Sequence, residues 1–247
     1  MKALILAAGY ATRLRPLTDD FPKGLLPVGR RPIVDWIVDN IRRAGIDDIR
    51  LVTNARFAQL FEDWSDGVTI VDDGTSTNET RLGAIGDIQF ADLDDDALIV
   101  AGDNLFDYEI ADFVEFWRTR GGSAVAVHDV GSKELAKKYG VIAVDGDGRI
   151  VDFAEKPDEP ASTLIATATY LYTRAHLGLV DAYLAEGNPP DQPGYLLAWL
   201  HSREPVYAYP FAGGWYDVGD LGQLLEADNR LRERLGLPRR ASYTVDD

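Results

Sequence analysis

Gly9-Tyr10-Ala11-Thr12-Arg13-Leu14 follows directly on a short apolar run, and Pro22-Lys23 comes soon after it. A loop of small residues at the end of a buried strand lets backbone N–H groups approach phosphates. In an open parallel sheet, ligands sit at that end of the strands. An arginine fork and a lysine point charge framing such a loop are what a triphosphate site needs. The loop is no Walker loop, because Gly-Lys-Ser/Thr is absent, and no dinucleotide fingerprint, because the second and third glycines are missing. Alone, Gly9 is equally a plain turn and Arg13 a surface residue. Two aspartates also stand at strand ends, Asp103 in Ala101-Gly102-Asp103-Asn104 and Asp217 in Trp215-Tyr216-Asp217-Val218-Gly219-Asp220. Each by itself reads as a cap or turn residue. Beside a triphosphate loop the pair reads as a Mg²⁺ site, since Mg²⁺ is held by one or two carboxylates plus phosphate oxygens and water. Asp220 competes for the second place and also suits a helix N-cap. Glu155-Lys156-Pro157 is ordinarily a solvated pair, with Pro157 arguing for a rigid strand exit.

The elements that must position these residues change character halfway. In the first half, short apolar runs at residues 3–7, 49–53, 68–71 and 97–101 read as buried parallel strands. Helices are predicted over 32–44, 57–64 and 110–119, the first with Ile33, Trp36, Ile37, Ile41 and Ala44 on one face and Gly45 as its stop. Such alternation predicts βαβ units with right-handed crossovers. In the second half, strands are predicted over 124–130, 141–144, 150–154, 164–172, 206–209 and 214–218. Asp145-Gly146-Asp147-Gly148 is a hairpin turn. A helix is expected over 175–185, then a break at Pro189-Pro190, then a closing helix over 219–235. The fold class is therefore α/β: a Rossmann-like open mixed sheet flanked by helices, in a single domain. The tail from Gly236 has little to pack and is expected to fray.

Composition excludes several classes. The chain has 247 residues, 46% hydrophobic and 27% charged, which suits a globular domain rather than a disordered or fibrous chain. It has no cysteine, hence no disulfide, thiolate metal site or cysteine nucleophile. The net charge of −16 argues against nucleic acid as a partner. No apolar run approaches the ~20 residues of a membrane helix. The apolar start at Met1 falls at or below the ~7–15 residues of a signal peptide and has no cleavage site, so a cytoplasmic protein is expected.

Leu6-Ala7-Ala8-Gly9-Tyr10-Ala11-Thr12-Arg13-Leu14-Arg15-Pro16-Leu17-Thr18, with Pro22-Lys23-Gly24-Leu25-Leu26-Pro27-Val28, resembles the N-terminal motif of the sugar-1-phosphate nucleotidylyltransferases, Gly-x-Gly-Thr-Arg followed by Pro-Lys. The other motifs recur in the family's order, so the resemblance covers nearly the whole chain. It implies a fold of the nucleotide-diphospho-sugar transferase type. Residues 1–235 would form the nucleotidyltransferase domain, with 1–110 its nucleotide-binding half, 111–219 its sugar-phosphate-binding half and 220–235 the closing helix; 236–247 is the tail. Ala11 stands where the family usually has Gly, a change that keeps close phosphate approach if its φ is negative. Gly24 replaces a residue that is commonly larger.

The resemblance also implies roles. Leu6, Ala8, Gly9, Thr12, Arg13, Lys23, Asn78, Arg81, Gly83 and Asp103 would contact the nucleotide, with Arg13, Lys23 and Lys156 carrying the catalysis. Asp103 and Asp217 would hold Mg²⁺, and the family motif prefers Asp217 over Asp220. Lys156 would grip the phosphate of the sugar 1-phosphate, and Glu155 would accept hydrogen bonds from sugar hydroxyls. Gly140, in Tyr139-Gly140-Val141, would admit the sugar ring; read alone, it is a helix stop after Lys138. Thr167 lies in Ala166-Thr167-Ala168-Thr169-Tyr170, a sugar-lining strand that in the family usually contains a Gly. The base would lie along residues 72–85, with Asn78 or Arg81 replacing the usual Gln reader and Leu82-Gly83-Ala84 as a small-residue helix start; read without the family, the stretch is a Ser/Thr-rich surface loop.

The expected reaction is NTP plus sugar 1-phosphate giving NDP-sugar and pyrophosphate. His128, His176 and His201 take no role in it. The sequence keeps two alternatives: a cytidylyltransferase for phosphocholine or a phosphonate, whose cage could come from Trp199, Trp215 and Tyr195, and a non-catalytic nucleotide-binding subunit. The chain ends soon after the closing helix, without the extension many relatives carry, so a compact single-activity enzyme is expected. Assembly into a homo-oligomer is left open.

Overall fold

The computed structural model describes residues 1–245. Along the chain run β1 (Lys2–Leu6), β2 (Pro27–Val28), β3 (Arg31–Pro32), α1 (Ile33–Arg43), β4 (Ile49–Thr53), α2 (Ala58–Trp64), β5 (Thr69–Asp72), α3 (Ala84–Phe90), β6 (Ala97–Ala101), β7 (Asn104–Phe106) and α4 (Ile110–Arg118). Then follow β8 (Ser123–Asp129), α5 (Lys133–Ala136), β9 (Gly140–Val144), β10 (Ile150–Glu155), β11 (Leu164–Tyr172), α6 (Arg174–Leu177), α7 (Val180–Ala185), α8 (Pro193–His201), β12 (Val206–Pro210), β13 (Trp215–Asp217) and α9 (Leu221–Arg234). No helix among the described residues is long and apolar enough to cross a membrane.

A nine-stranded sheet runs β10-β9-β11-β6-β1-β4-β5, with β8 beside β11 and β12 beside β8. β1 pairs parallel with both β4 and β6, and β4 with β5. Their side chains alternate between two cores, as strand geometry requires. Ala3, Ile5, Leu98 and Val100 face α1, α2, α4 and α9, whereas Leu4, Ile99 and Ala97 face α3, α7 and α8. α1 buries Ile33, Val34, Ile37, Val38 and Ile41 along one stripe, each contributing roughly 1.5–3 kcal/mol. β11 is antiparallel to β6, β8 and β9, so the second half extends the sheet as expected.

The chain leaves β1 toward β4 on one side and later returns as β6 on the other. The carboxyl ends of β1 and β6 therefore border a topological switch point, where α/β sheets bind ligands. Beyond β6 the chain forms β7, which pairs antiparallel with β13 in a separate ribbon; the register sets Asp217 opposite Asn104, next to Asp103. This pairing joins two residues far apart in sequence.

Three expectations are corrected. The helix expected over 175–185 is two short ones: α6, capped by Thr173 accepting from the His176 N–H, and α7, with a break at Gly178 and Leu179. α8 follows the Pro189-Pro190 break at once and was not anticipated, whereas α3 starts at Ala84, where the resemblance implies a helix start. The tail does not fray over its described part. Tyr243 Oη donates to the Pro27 carbonyl at 2.8 Å, Asn229 exchanges hydrogen bonds with the Arg240 backbone, and Arg240 lies 3.6 Å from the buried Asp228 carboxylate. Residues 246 and 247 of that tail lie outside the described residues. The hairpin at Asp145 and the cap at Asp220, whose Oδ1 accepts from the Gln223 N–H at 2.9 Å, are as read from sequence.

Candidate active site

Two adjoining cavities open at the carboxyl edge of the sheet. The smaller, about 180 Å³, is lined by Leu6, Ala7, Gly9 and Ala11 from the first loop, by Lys23 and Gly24, and by Ala101, Gly102 and Asp103. The larger, about 440 Å³, shares Ala101 and Asp103 with it and extends to Arg13, Gly140, Glu155, Lys156 and Asp217. The first loop and the Glu155-Lys156 motif thus face adjoining cavities that form one cleft.

Leu14, fully buried, anchors the first loop as one turn of 3-10 helix over Thr12–Leu14. Ala11 sits at φ 44°, so the expected negative φ does not hold. A left-handed conformation costs an L-residue roughly 1–2 kcal/mol. Packing maintains it: the Ala11 carbonyl accepts from the Leu14 N–H and the Thr18 hydroxyl, each at 2.9 Å. Ala8 is buried, its carbonyl taken by Asn54 Nδ2 at 2.9 Å, and Thr12 is exposed. Gly24 has a packing reason, since a Cβ there would come within 2.9 Å of Val34 Cγ1.

Lys23 Nζ donates to the Asp103 carboxylate and, at 2.9 Å, to the Val218 carbonyl. One lysine thereby ties β6 to the segment after β13. Asp217 is a strongly perturbed carboxyl of the cleft. Burial pushes its carboxyl up to about 6, the charge on Asp103 adds to the rise, and Lys23, Arg13 and Lys156 pull it down. Charged groups from both halves of the chain therefore act on one carboxylate. Asp220 borders the cleft but serves as the N-cap of α9. The Arg13 guanidinium lies against Gly219, where an added Cβ would meet it at 3.6 Å.

On the opposite wall, β10 ends in Glu155, only 12% exposed and raised by burial, with Lys156 moderating the rise. Lys156 follows at φ 46° and reaches the Gln192 amide oxygen at 2.8 Å. Gly140 lines the cleft, yet the space its missing side chain leaves is filled by this chain itself: a Cβ would stand 2.5 Å from Phe153 and 3.0 Å from Glu155 Oε2. Thr167 is fully buried; its hydroxyl donates to the Ala126 carbonyl at 2.9 Å and its carbonyl accepts from Asn104 Nδ2. Ala168 bulges out of β11 at φ 52°, an alanine in backbone that favours glycine.

The base stretch is the part the structure does not bring to the cleft. Asn78 and Arg81 are exposed and line neither cavity. Arg81 pairs with Asp191 at 2.9 Å and donates to the Asn78 carbonyl at 2.8 Å. Gly83 is buried at the N-cap of α3, φ 80°, where a Cβ would come within 2.7 Å of the Pro190 carbonyl.

Sequence reasoning missed a carboxyl pair at the root of this stretch, Asp73 and Asp87, both buried. Burial, and then the charge and hydrogen bond of Asp73, push Asp87 up to about 7. The signal was an acid between Ile85 and Ile88, the two isoleucines of the apolar face of α3. Sequence also missed a Ser-His-acid constellation: Ser123 Oγ lies 2.7 Å from His176 Nδ1, and Glu204 lies 3.8 Å from its Nε2. Ser123 is fully buried and cannot meet a substrate, so the set is structural.

The nucleotidyl transferase family profile matches residues 2–234. A UTP–glucose-1-phosphate uridylyltransferase from Haloferax volcanii is 34% identical over 94% of this chain and 97% of its own length. One from Synechocystis sp. is 30% identical over 92% of this chain, which spans 62% of that relative. A solved UDP-glucose pyrophosphorylase complexed with UDP-glucose superposes with a TM-score of 0.80 at 25% identity, covering 94% of this chain and 98% of its own. With a phosphate-type loop at the switch point, two facing aspartates and a Glu-Lys wall, the chain belongs to the sugar-1-phosphate nucleotidylyltransferase family of nucleotidyl transferases.

Proposed function

We propose that this protein transfers a nucleotidyl group from a nucleoside triphosphate to a sugar 1-phosphate and releases pyrophosphate, with UTP and glucose 1-phosphate as its substrates. The observation that carries the reading is the convergence of Asp103, Lys23, Arg13 and Lys156 on Asp217. Cations of the first loop and of the acceptor wall meet there, as a reaction between two anions requires. The substrates are those in the names of the Haloferax volcanii and Synechocystis relatives.

The nucleophile is a phosphate oxygen, ionised at neutral pH, so no general base is needed. The protein's work is positioning and charge stabilisation. Arg13 and Lys23 hold the triphosphate, and Lys156 brings the acceptor phosphate in line. Glu155, mostly buried and 3.6 Å from the Lys156 ammonium, accepts from sugar hydroxyls. The donor set fits Mg²⁺: two carboxylates close enough for one to raise the other suit a divalent cation that would relieve their repulsion. Asp103 and Asp217 would hold it, and it would supply charge neutralisation to the phosphates. A choline acceptor is disfavoured, because Trp215 lines the cleft while Trp199 and Tyr195 do not. The test is pyrophosphate release with UTP, glucose 1-phosphate and Mg²⁺. Release that requires both substrates and the metal supports the proposal; no release with any NTP and any hexose 1-phosphate rejects it.

A further inference from the structure

The start of α8 belongs to no motif, yet it closes the acceptor side of the cleft. Gln192 is the N-cap residue of α8, and its side chain caps no backbone N–H of that helix. Its amide oxygen instead accepts from Lys156 Nζ at 2.8 Å across the cleft. That orientation is dictated, because an ammonium only donates. Two positions on, Gly194 fits against the other member of the pair. A Cβ on Gly194 would stand 2.4 Å from Glu155 Oε2 and 2.8 Å from Phe153 Cζ. One turn of chain is thus shaped around both Glu155 and Lys156.

We propose that Gln192 is a positioning residue for the acceptor, holding the Lys156 ammonium by one N–H so that the others meet the phosphate of the sugar 1-phosphate. The inference rests on the function proposed above. The Lys156 backbone is fixed by its φ of 46° and by its N–H donating to the Tyr139 carbonyl at 3.0 Å. Its side chain, by contrast, is half exposed, with Glu155 no nearer than 3.6 Å. A long lysine stem in solvent has several rotamers, and a firm partner selects one. An ammonium has three donors, so a bond to one amide oxygen leaves two. The neutrality of the amide matters as much as its oxygen. A carboxylate at this position would offer the same hydrogen bond but would cancel the charge the incoming phosphate needs.

The experiment compares Gln192→Met, which keeps the length and removes the acceptor atom, with Gln192→Glu, which keeps the acceptor atom and adds charge. KM is measured for glucose 1-phosphate and for UTP, with Tm as a fold control. Gln192→Met is expected to raise KM for glucose 1-phosphate about tenfold, the worth of one charge-assisted hydrogen bond. Gln192→Glu is expected to raise it further. KM for UTP and Tm stay near wild type in both. A merely structural bond would leave Gln192→Glu indistinguishable from wild type, and that result overturns the proposal. So does a Gln192→Met enzyme with unchanged kinetics, or a parallel rise in both KM values. Wild-type protein without turnover would instead reject the underlying function, which separates the two failures.

Discussion

The two walls of the cleft are built in different ways. The wall to which we assign the nucleotide rests on the carboxyl ends of two parallel strands, β1 and β6, buried on both faces. Its loop is short, and its charged groups are fastened to rigid elements: Lys23 to the Asp103 carboxylate and the Val218 carbonyl. The acceptor wall is assembled from the ends of β9 and β10, a bulge in β11 and the first turn of α8. Its key residues stand on strained backbone, with Lys156 at φ 46° and Ala168 at φ 52°. One wall is a short loop whose charged groups are tied to rigid elements. The other is a fitted surface, where Gly140 and Gly194 leave room for Glu155 and nothing larger.

The largest effect expected of this division comes from the seam between the walls. Asp103→Asn and Asp217→Asn should each lower kcat by about two orders of magnitude or more. Tm of Asp217→Asn should stay unchanged or rise slightly, since it removes a buried carboxylate repelled by Asp103, whereas Asp103→Asn also gives up the Lys23 ion pair and should gain nothing. Near-normal turnover in either variant would remove that residue from the seam.

A smaller effect lies beneath the nucleotide wall, at the Asp73–Asp87 pair. The folded protein raises the Asp87 carboxyl to about 7, above its ordinary value of 3.8. The folded state thus binds the proton more tightly than the unfolded chain. The stabilisation is complete below about pH 4 and is lost as pH rises through 7. Tm of the wild type should fall between pH 5 and pH 8. Asp87→Asn should fall less, leaving the part due to Asp217, which is raised in the same sense. Equal slopes in melting experiments across that range would refute the pairing.

The smallest effect concerns Arg81. Its pair with Asp191 is exposed on both sides, and such pairs contribute at most about 1 kcal/mol. Arg81→Ala should leave Tm almost unchanged. If KM for UTP also stays put, Arg81 does not read the base. A rise in that KM alone would mean that the loop swings inward when nucleotide binds.

The same contrast explains what the sequence revealed. β4 and β6 were legible at their boundaries because a continuous apolar run between polar ends has few other uses. Lys23, Asp103, Glu155 and Lys156 were singled out because each sits in a short local motif that the family resemblance also marks, and the structure brings all four to the cleft. α8 was not, because Leu196, Leu197, Trp199 and Leu200 make it apolar without a clear stripe, directly after two prolines. Its Gln192 carries no local mark either, since its role exists only across the cleft from Lys156. The left-handed Ala11 and Ala168 were hidden for a related reason: alanine gives no hint of positive φ, which tertiary packing imposes. Asn78 and Arg81 were picked by residue type in a loop whose placement is set by Gly83 against Pro190 and by the buried Asp73 and Asp87.

The most direct test of the division between the walls is a crossed kinetic comparison of Lys23→Ala and Lys156→Ala. KM for UTP and for glucose 1-phosphate would be measured in both, at saturating Mg²⁺ and fixed pH. Lys23→Ala is predicted to raise KM for UTP with little change for glucose 1-phosphate, and Lys156→Ala to do the reverse, with kcat reduced in both. If each variant raises both constants equally, the walls do not divide the two substrates, and the account of the cleft is wrong.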